Sequence, residues 1–374
     1  MKRKQFTART ARGLVAVLAL TALASASAVA GDDDTALIER YGLTEADTPV
    51  SDRDDWQRPR TIVVGRLDDG RIEWLRERVP DDVTLVPVAS EDEALEHVGD
   101  TDALVGLCSE SLLERGSGLT WVQVLSAGVD GCYDAPTMQA RQPLLTNMQR
   151  VTGPVIAEHV LALTLSLARG LPAYQRAQAD GEWDQAAAEP ITLEGRRMLV
   201  VGLGGIGIEV ARRAHALGMT VHGVRASRAE GPDYVARVVL PDGLEDELAN
   251  ADVIVNALPL TDDTRGQFDR ALFELMPSHA LYINVGRGGT VVTDDLVAAL
   301  EEGLIGGAGI DVTDPRPLPA DHPLWKAPNT IVTPHVAARS DLGIEARWEV
   351  ALANMLRYID GEPMLSVVDL DRGY

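Results

Sequence analysis

Short apolar runs rich in β-branched residues recur along the chain, and polar or helix-like stretches separate them. The first series occupies residues 61–64, 83–88, 103–107 and 121–125. The second series begins at Met198 and occupies residues 198–201, 220–225, 253–258, 280–285, 307–312 and 330–333. Alternation of this kind is typical of parallel strands joined by crossover helices. Between the two series, the leucine-rich segment from Val155 to Asp180 predicts one long helix.

The two series predict an α/β fold made of two Rossmann-like, doubly wound parallel-sheet domains. A length of 374 residues suits two domains. Residues 31–60 are rich in Asp, Thr, Pro and Arg and lack periodicity. We therefore expect a solvated polar spacer there, and a fold that begins at Thr61.

The first thirty residues have the order of a secretory signal. Five cations precede an apolar run from Leu14 to Leu23, and a stretch of small residues ends in Ala28-Val29-Ala30. This order predicts a signal peptide over residues 1–30, cleaved after Ala30, and hence an exported or periplasmic protein. The run is too short to cross a bilayer comfortably, so we expect no integral membrane span in the mature chain. The alternatives are a misassigned start codon or an uncleaved apolar tail on a cytoplasmic enzyme.

Charge and cysteine content narrow the class of protein. The chain has 34 Lys and Arg against 57 Asp and Glu, a net charge of −23 that repels phosphate backbones. We therefore expect no nucleic-acid partner. The two cysteines, Cys108 and Cys132, lie in no CxxC pair and beside no histidines at metal spacing, so we expect no metal site. Buried, unpaired thiols are the favoured interpretation, and a bridge between them stays open for an exported protein.

A glycine-rich turn follows the first strand of the second series. Gly202-Leu203-Gly204-Gly205-Ile206-Gly207 stands between an apolar run and a helical segment. In a dinucleotide-binding turn, the first glycine allows the tight turn, the second lets the backbone approach a pyrophosphate, and the third allows close packing of helix on strand. The anion then binds at the helix N-terminus. These residues predict a dinucleotide site.

The next strand ends in a basic sequence that bears on the choice of cofactor. Arg225, Ser227 and Arg228 stand where an NAD site usually has a carboxylate for the ribose 2′-hydroxyl. Guanidinium and hydroxyl groups suit a 2′-phosphate instead. The sequence therefore favours NADP(H), and NAD(H) stays possible if Arg225 points to solvent.

Three segments at strand ends carry candidate chemistry. Arg287 lies among glycines after one strand, where a guanidinium can bind a substrate carboxylate. His335 ends another strand at the same predicted sheet edge and suits a proton donor and acceptor. The loop Ala127-Gly128-Val129 offers backbone amides to the other side of a small carboxylate.

With these motifs the sequence resembles the D-isomer-specific 2-hydroxyacid dehydrogenases, particularly their glyoxylate/hydroxypyruvate reductase branch. The resemblance extends from Thr61 to Tyr374. It is carried by 126–130, 157–159, 202–207, 284–289, 309–312, 322–325, 333–335 and 368–374.

The resemblance implies a dinucleotide-binding domain at 158–336 inserted into a substrate domain made of 61–157 and 337–374, and a homodimer. It implies NAD(P)-dependent reduction of a small 2-oxo acid to a 2-hydroxy acid. Arg287 would bind the carboxylate and polarise the carbonyl, while His335 protonates the oxygen as hydride arrives. Asp311 would belong to the cofactor-binding set.

One position departs from the family pattern. Arg316 stands where the family usually has a glutamate that hydrogen-bonds the catalytic imidazole. A cation beside His335 disfavours imidazolium, which the proton-donating step needs. Three interpretations stay open. Asp314 replaces the missing partner, the enzyme is active but slow or shifted to lower pH with Arg316 holding a second substrate carboxylate, or the chain is a non-catalytic dinucleotide-binding or sensor protein.

Overall fold

The computed structural model describes residues 34–68 and 70–372. The predicted signal peptide lies outside these residues. The chain divides into two compact units, Met1–Leu43 and Thr44–Tyr374. In the first unit, helix α1 covers residues 34–41. All elements named below belong to the second unit.

Two parallel sheets form the framework and confirm the predicted α/β class. The first has five strands in the order β2-β1-β3-β4-β5. Its strands are β1 (Thr61–Gly65), β2 (Thr84–Val88), β3 (Ala103–Val105), β4 (Trp121–Gln123) and β5 (Leu144–Thr146). The sequence pattern predicted four of them and missed β5, which has only three residues.

The second sheet has seven strands in the order β12-β11-β10-β9-β6-β7-β8. Its strands are β6 (Arg197–Val201), β7 (Thr220–Val224), β8 (Arg237–Val239), β9 (Val253–Asn256), β10 (Leu281–Asn284), β11 (Gly307–Ile310) and β12 (Thr330–Val332). The order reverses beside β6, the position where doubly wound sheets open a ligand crevice at their carboxyl edge. Strand β8 was not predicted, because it is short and incompletely buried at the sheet edge.

Helices cover the sheets and connect the strands. They are α2 (Arg71–Arg76), α3 (Glu91–His97), α4 (Glu110–Arg115), α5 (Asp130–Tyr133), α6 (Pro136–Arg141), α7 (Gly153–Ala168), α8 (Leu171–Ala179), α9 (Gly205–Ala216), α10 (Leu244–Leu248), α11 (Arg270–Leu275), α12 (Thr293–Glu301) and α13 (Asp341–Asp360). Among the described residues, no single helix is long and apolar enough to cross a membrane, and the bent pair α7 and α8 meets that test only by length and composition.

The single long helix expected over Val155–Asp180 is wrong, because α7 and α8 are separate helices bent by 68°. Gly170 between them has φ 65°, a left-handed conformation that ends α7. Pro172 then stands in the first turn of α8, where its missing N–H costs nothing. Helix α7 buries Val160 and Leu163 in one core with β6, β9 and β10 of the seven-stranded sheet.

The C-terminal helix α13 packs against the five-stranded sheet. The rings of Tyr358 and Trp121 stack with centroids 4.9 Å apart. The amide of Asn354 donates to Gln123 Oε1 over 2.7 Å. The chain then runs back along β5, where the Val368 amide donates to the Leu145 carbonyl.

Most residues of 44–58, part of the expected solvated spacer, are exposed or half-buried, but hydrogen bonds hold the segment to α13 and the residues that follow it. The amides of Ala46 and Val50 donate to the carbonyls of Met364 and Glu362. The indole of Trp56 donates to the Tyr358 carbonyl over 3.0 Å. Backbone hydrogen bonds and one indole fix this segment, so its packing does not require a periodic apolar pattern. For that reason the packing could not be predicted from the sequence.

The expectation of unpaired thiols is also wrong. Cys108 and Cys132 form a disulfide with their Cα atoms 5.4 Å apart. Strands β3 and β4 are neighbours, Cys108 follows the carboxyl end of β3, and Cys132 lies in helix α5, which follows β4. The pairing of these strands, which sequence spacing does not reveal, brings the thiols together. The bridge fixes helix α5, which also carries Asp130.

Removing the disulfide should lower stability by about 3 kcal/mol, because the bridge closes a loop with a sequence separation of 24 and restricts the unfolded chain. The double variant Cys108→Ala/Cys132→Ala is compared with wild type by urea unfolding. Wild type treated with reductant serves as the control and should shift by a similar amount. An unchanged unfolding midpoint in both would contradict the prediction.

Candidate active site

The glycine-rich turn connects β6 to α9, as the sequence predicted. Gly202 has φ 98°, and a Cβ there would lie 2.8 Å from the carbonyl carbon of Ala257. A Cβ at Gly207 would overlap the Gly202 carbonyl oxygen, so this glycine lets α9 approach β6. A Cβ at Gly204 would meet nothing within 4 Å. The space before the N-terminus of α9 is therefore open to a phosphate group.

Cations gather beside this turn. Arg225 follows β7, and its Nη1 donates to the Glu230 carbonyl over 3.2 Å. Partial burial lowers the pKa of Arg225, and the positive charges of Arg228 and Arg150 lower it further. Such a cluster in an acidic chain is what a phosphate would neutralise. The three arginines therefore fit a cofactor with a 2′-phosphate. Ser227 lies in the same loop as Arg225 and is exposed.

Arg287 lies in the loop after β10 and crosses to the five-stranded sheet. Its Nε donates to Asp130 Oδ2 over 2.7 Å, and its Nη1 donates to the Gly286 carbonyl over 2.8 Å. Nη2 has no hydrogen-bond partner among residues 34–68 and 70–372. This nitrogen lies against Gly128, where any Cβ would overlap it. Gly128 is thus the residue that lets the guanidinium reach the loop.

The loop Ala127-Gly128-Val129 presents its backbone to the same place. The Asn147 amide donates to the Ala127 carbonyl over 2.8 Å, and the Ser126 hydroxyl donates to the Gly128 carbonyl over 2.7 Å. These bonds fix the carbonyls, while the three amides donate to no partner within the described part of the chain. Free amides beside a free guanidinium nitrogen form a site for a small carboxylate.

His335 follows β12 in a turn that Asp311 holds. The His335 amide donates to the Asp311 carbonyl over 2.9 Å. The Asp311 carboxylate is 2% exposed and accepts from the Thr333 hydroxyl at 2.6 Å and from the amides of Val336 and Ala337. His335 has φ 56°, so the turn requires a left-handed residue at this point. Asp311 therefore positions the turn that carries His335, and its predicted contact with the cofactor stays a prediction.

His159 on α7 completes this support. Its Nε2 lies 3.0 Å from the Thr333 hydroxyl and 3.6 Å from Asp311 Oδ1. In the sequence, His159 belongs only to a segment that resembles the family. Nothing in the sequence links residue 159 to the turn that carries His335.

The surroundings of His335 lower its pKa. Desolvation is the largest cause that lowers its pKa, and the charge of Arg316 is the second. Asp311 raises the pKa, Arg287 lowers it, and Asp130 raises it. The charges of Arg287 and Arg316 therefore both act on the imidazole of His335.

Among the described residues, the predicted substitute partner Asp314 makes no hydrogen bond or ion pair with His335, so its role stays a prediction. The carboxylates of Asp311 and Asp130 raise the pKa of His335. The Asp314 backbone carbonyl accepts from the Thr293 hydroxyl over 2.7 Å, and its loop packs against Gly288. Asp130 is the carboxylate that sequence reasoning missed, although it stands directly after the predicted substrate loop.

A doubly wound sheet with a glycine-rich turn, and an arginine and a histidine at the carboxyl edge of the same sheet, are features of a dinucleotide-dependent dehydrogenase. Among the described residues, no group of three or more His, Cys, Asp or Glu is placed to hold a metal ion.

Comparison with known proteins identifies the family. Residues 161–337 match the NAD binding domain of the D-isomer specific 2-hydroxyacid dehydrogenases. Glyoxylate/hydroxypyruvate reductase B of Citrobacter koseri is 31% identical over 316 residues, which cover 81% of this chain and 94% of that protein. The chain therefore belongs to the D-isomer specific 2-hydroxyacid dehydrogenase family, in its glyoxylate/hydroxypyruvate reductase branch, and is an oxidoreductase acting on 2-hydroxy acids.

Solved structures agree with this assignment. A D-isomer specific 2-hydroxyacid dehydrogenase family protein from Aeromonas salmonicida has a TM-score of 0.74 and 32% identity, covering 83% of this chain and 99% of its own. The NADPH-dependent glyoxylate/hydroxypyruvate reductase of Sinorhizobium meliloti, solved with NADP and sulfate, has a TM-score of 0.74 and 28% identity, covering 84% of this chain and 99% of its own.

Proposed function

We propose that the protein reduces a small 2-oxo acid of the glyoxylate or hydroxypyruvate type to the D-2-hydroxy acid, with NADP(H) as the favoured cofactor. The observation that carries this proposal is the position of Arg287. Asp130 and the Gly286 carbonyl fix two of its nitrogens, and the third lies free beside the amides of 127–129. His335 is close enough for the Arg287 charge to influence its pKa.

The residues divide the work between binding and proton transfer. The free Arg287 Nη2 and the amides of the loop bind the substrate carboxylate and orient the carbonyl. When bound, the nicotinamide supplies a hydride to C2. The His335 imidazolium donates its proton to the carbonyl oxygen, which becomes the hydroxyl group. In the oxidative direction, the neutral imidazole takes that proton back.

Three guanidiniums support the preference for NADP(H). The charges of Arg228 and Arg150 both act on Arg225, and no carboxylate forms an ion pair with any of the three in the described part of the chain. The reductase of Sinorhizobium meliloti was solved with NADP. Dissociation constants measured for NADPH and NADH on the purified protein test this preference, and tighter binding of NADH would remove it.

Turnover separates this proposal from a non-catalytic binding protein, the alternative that Arg316 favours. The absorbance of NADPH is followed with glyoxylate, hydroxypyruvate and larger 2-oxo acids between acid and neutral pH. We expect oxidation of NADPH with at least one of them. NADPH that binds but is consumed with none of the acids at any pH would support the alternative.

Arg316→Glu should raise the rate of reduction near neutral pH. Reduction needs the imidazolium, and the Arg316 charge lowers the pKa of His335, so the wild-type rate falls as pH rises through that pKa. A glutamate raises the pKa and moves this fall to higher pH. A displacement of one pH unit changes the rate above the inflection about tenfold.

The pH dependence of kcat for Arg316→Glu, Arg316→Gln and wild type checks this prediction. The glutamine removes the charge without adding a carboxylate, so its profile should lie between the other two. Profiles that coincide for all three proteins would contradict a role for residue 316 in the titration of His335.

Export and dimerisation are part of the same proposal. The disulfide supports an exported protein, because disulfides persist in oxidising compartments. Sequencing the N-terminus of the purified protein tests export, with Gly31 expected as the first residue and Met1 as the contrary result. Sedimentation of the purified protein tests the homodimer expected from the family.

A further inference from the structure

Arg150 lies beside the glycine-rich turn, against Gly205. It belongs to the segment between β5 and α7, outside the glycine-rich motif. A Cβ placed on Gly205, the first residue of α9, would lie 2.9 Å from Arg150 Cγ and 3.2 Å from its Cα and N. A Cβ on Gly153 would lie 2.8 Å from the Gly205 carbonyl oxygen. The segment 150–153 therefore packs directly on the first turn of the helix that would hold the cofactor phosphates.

The backbone at this position does not favour an arginine. Arg150 has φ 73°, a left-handed conformation that glycine adopts freely and that asparagine tolerates. A residue held in a disfavoured backbone conformation often serves a function, and here the residue is a long cation at a helix N-terminus. Helix α9 has twelve residues, so its dipole adds positive potential at the same end.

The charge of Arg150 is not neutralised within the protein. Its guanidinium makes no hydrogen bond or ion pair with any of residues 34–68 and 70–372. Its charge reaches Arg225, which also feels Arg228, and Glu230 offsets these charges only in part. Arg150 and Arg228 thus each repel Arg225, and an anion between such charges would relieve the repulsion.

We propose that Arg150 binds a phosphate group of the dinucleotide, so that the substrate-sheet side of the chain contributes a third arginine to the cofactor site. This inference rests on the proposed function. Contact with Gly205 favours the pyrophosphate, and proximity to Arg225 favours the 2′-phosphate. The pyrophosphate and the 2′-phosphate are both anions that a guanidinium can bind. NADPH carries both groups and NADH only the pyrophosphate, so the two cofactors distinguish the two contacts.

The test compares dissociation constants of NADPH and NADH for wild type and Arg150→Gly, measured by nucleotide fluorescence. The glycine removes the charge and relieves the left-handed strain, so the melting temperature should stay the same or rise. A charged hydrogen bond contributes enough that loss of it should weaken NADPH at least about tenfold. Weaker binding of NADPH alone assigns the 2′-phosphate, and equal weakening of both cofactors assigns the pyrophosphate.

Two further variants keep the inference falsifiable. Gln142→Gly relieves a left-handed residue at the end of α6, with φ 51°, and should leave both dissociation constants unchanged. Arg150→Asn, which suits the same backbone, replaces the glycine variant if that one unfolds. Unchanged affinity of both Arg150 variants, while Arg225→Gln still weakens NADPH, would overturn the inference and leave the proposed function standing. Wild-type protein that binds neither cofactor would overturn both.

Discussion

His335→Asn should lower kcat for 2-oxo acid reduction by about 10²–10⁴, the usual contribution of a positioned general acid. Asparagine accepts the left-handed backbone at this position, where φ is 56°, so the substitution removes the imidazole without straining the turn. The amide of residue 335 can still donate its hydrogen bond to the Asp311 carbonyl, so the fold should be preserved.

Steady-state kinetics at several pH values checks this expectation. The loss should appear in kcat, with the dissociation constant of NADPH unchanged, and the residual rate should no longer follow the titration of an imidazole. A variant that retains the wild-type kcat would remove His335 from proton transfer.

Gly128→Ala should lower kcat/KM about 10²-fold, although it removes no functional group. The new Cβ occupies the place of Arg287 Nη2, the nitrogen that is free to bind substrate. The tip of a flexible side chain can move away, so stability should change little. A displacement of about 1 Å in a substrate-positioning group is enough for a loss of this size.

Gly131→Ala is the matched control, since a Cβ on Gly131 meets nothing within 4 Å. It lies in α5, three residues further along the same segment. Control and wild type should have the same kcat/KM. Full activity of Gly128→Ala would show that Arg287 does not need its observed position.

Much of the predicted dinucleotide-binding domain could be predicted from the sequence, because its glycine-rich motif is a continuous stretch of the chain. The turn from Gly202 to Gly207 follows a strand directly, and Gly207 packs on Gly202 within the same motif. The positions of Arg287 and His335 at strand ends could also be predicted, since both follow apolar runs and parallel strands end at one edge.

Long-range pairing is what the sequence could not reveal. Asp130 and Arg287 are separated by 157 positions, and the bond between them depends on how the two sheets meet. The same holds for the disulfide, whose cysteines met because β3 and β4 pair side by side. Nor does the sequence reveal that the buried Asp311 carboxylate holds the turn that carries His335, since residues 311 and 336 meet only through the pairing of β11 with β12.

Transfer of deuterium is the measurement that tests the central claim most directly. Purified protein is incubated with hydroxypyruvate and NADPH deuterated at the transferred position of the nicotinamide, and the product is analysed by mass and chirality. If Arg287 binds the carboxylate and His335 protonates the carbonyl oxygen while hydride reaches C2, the product is a D-2-hydroxy acid with one deuterium at C2. Product of the L configuration, or product without the label, would contradict hydride transfer at this site.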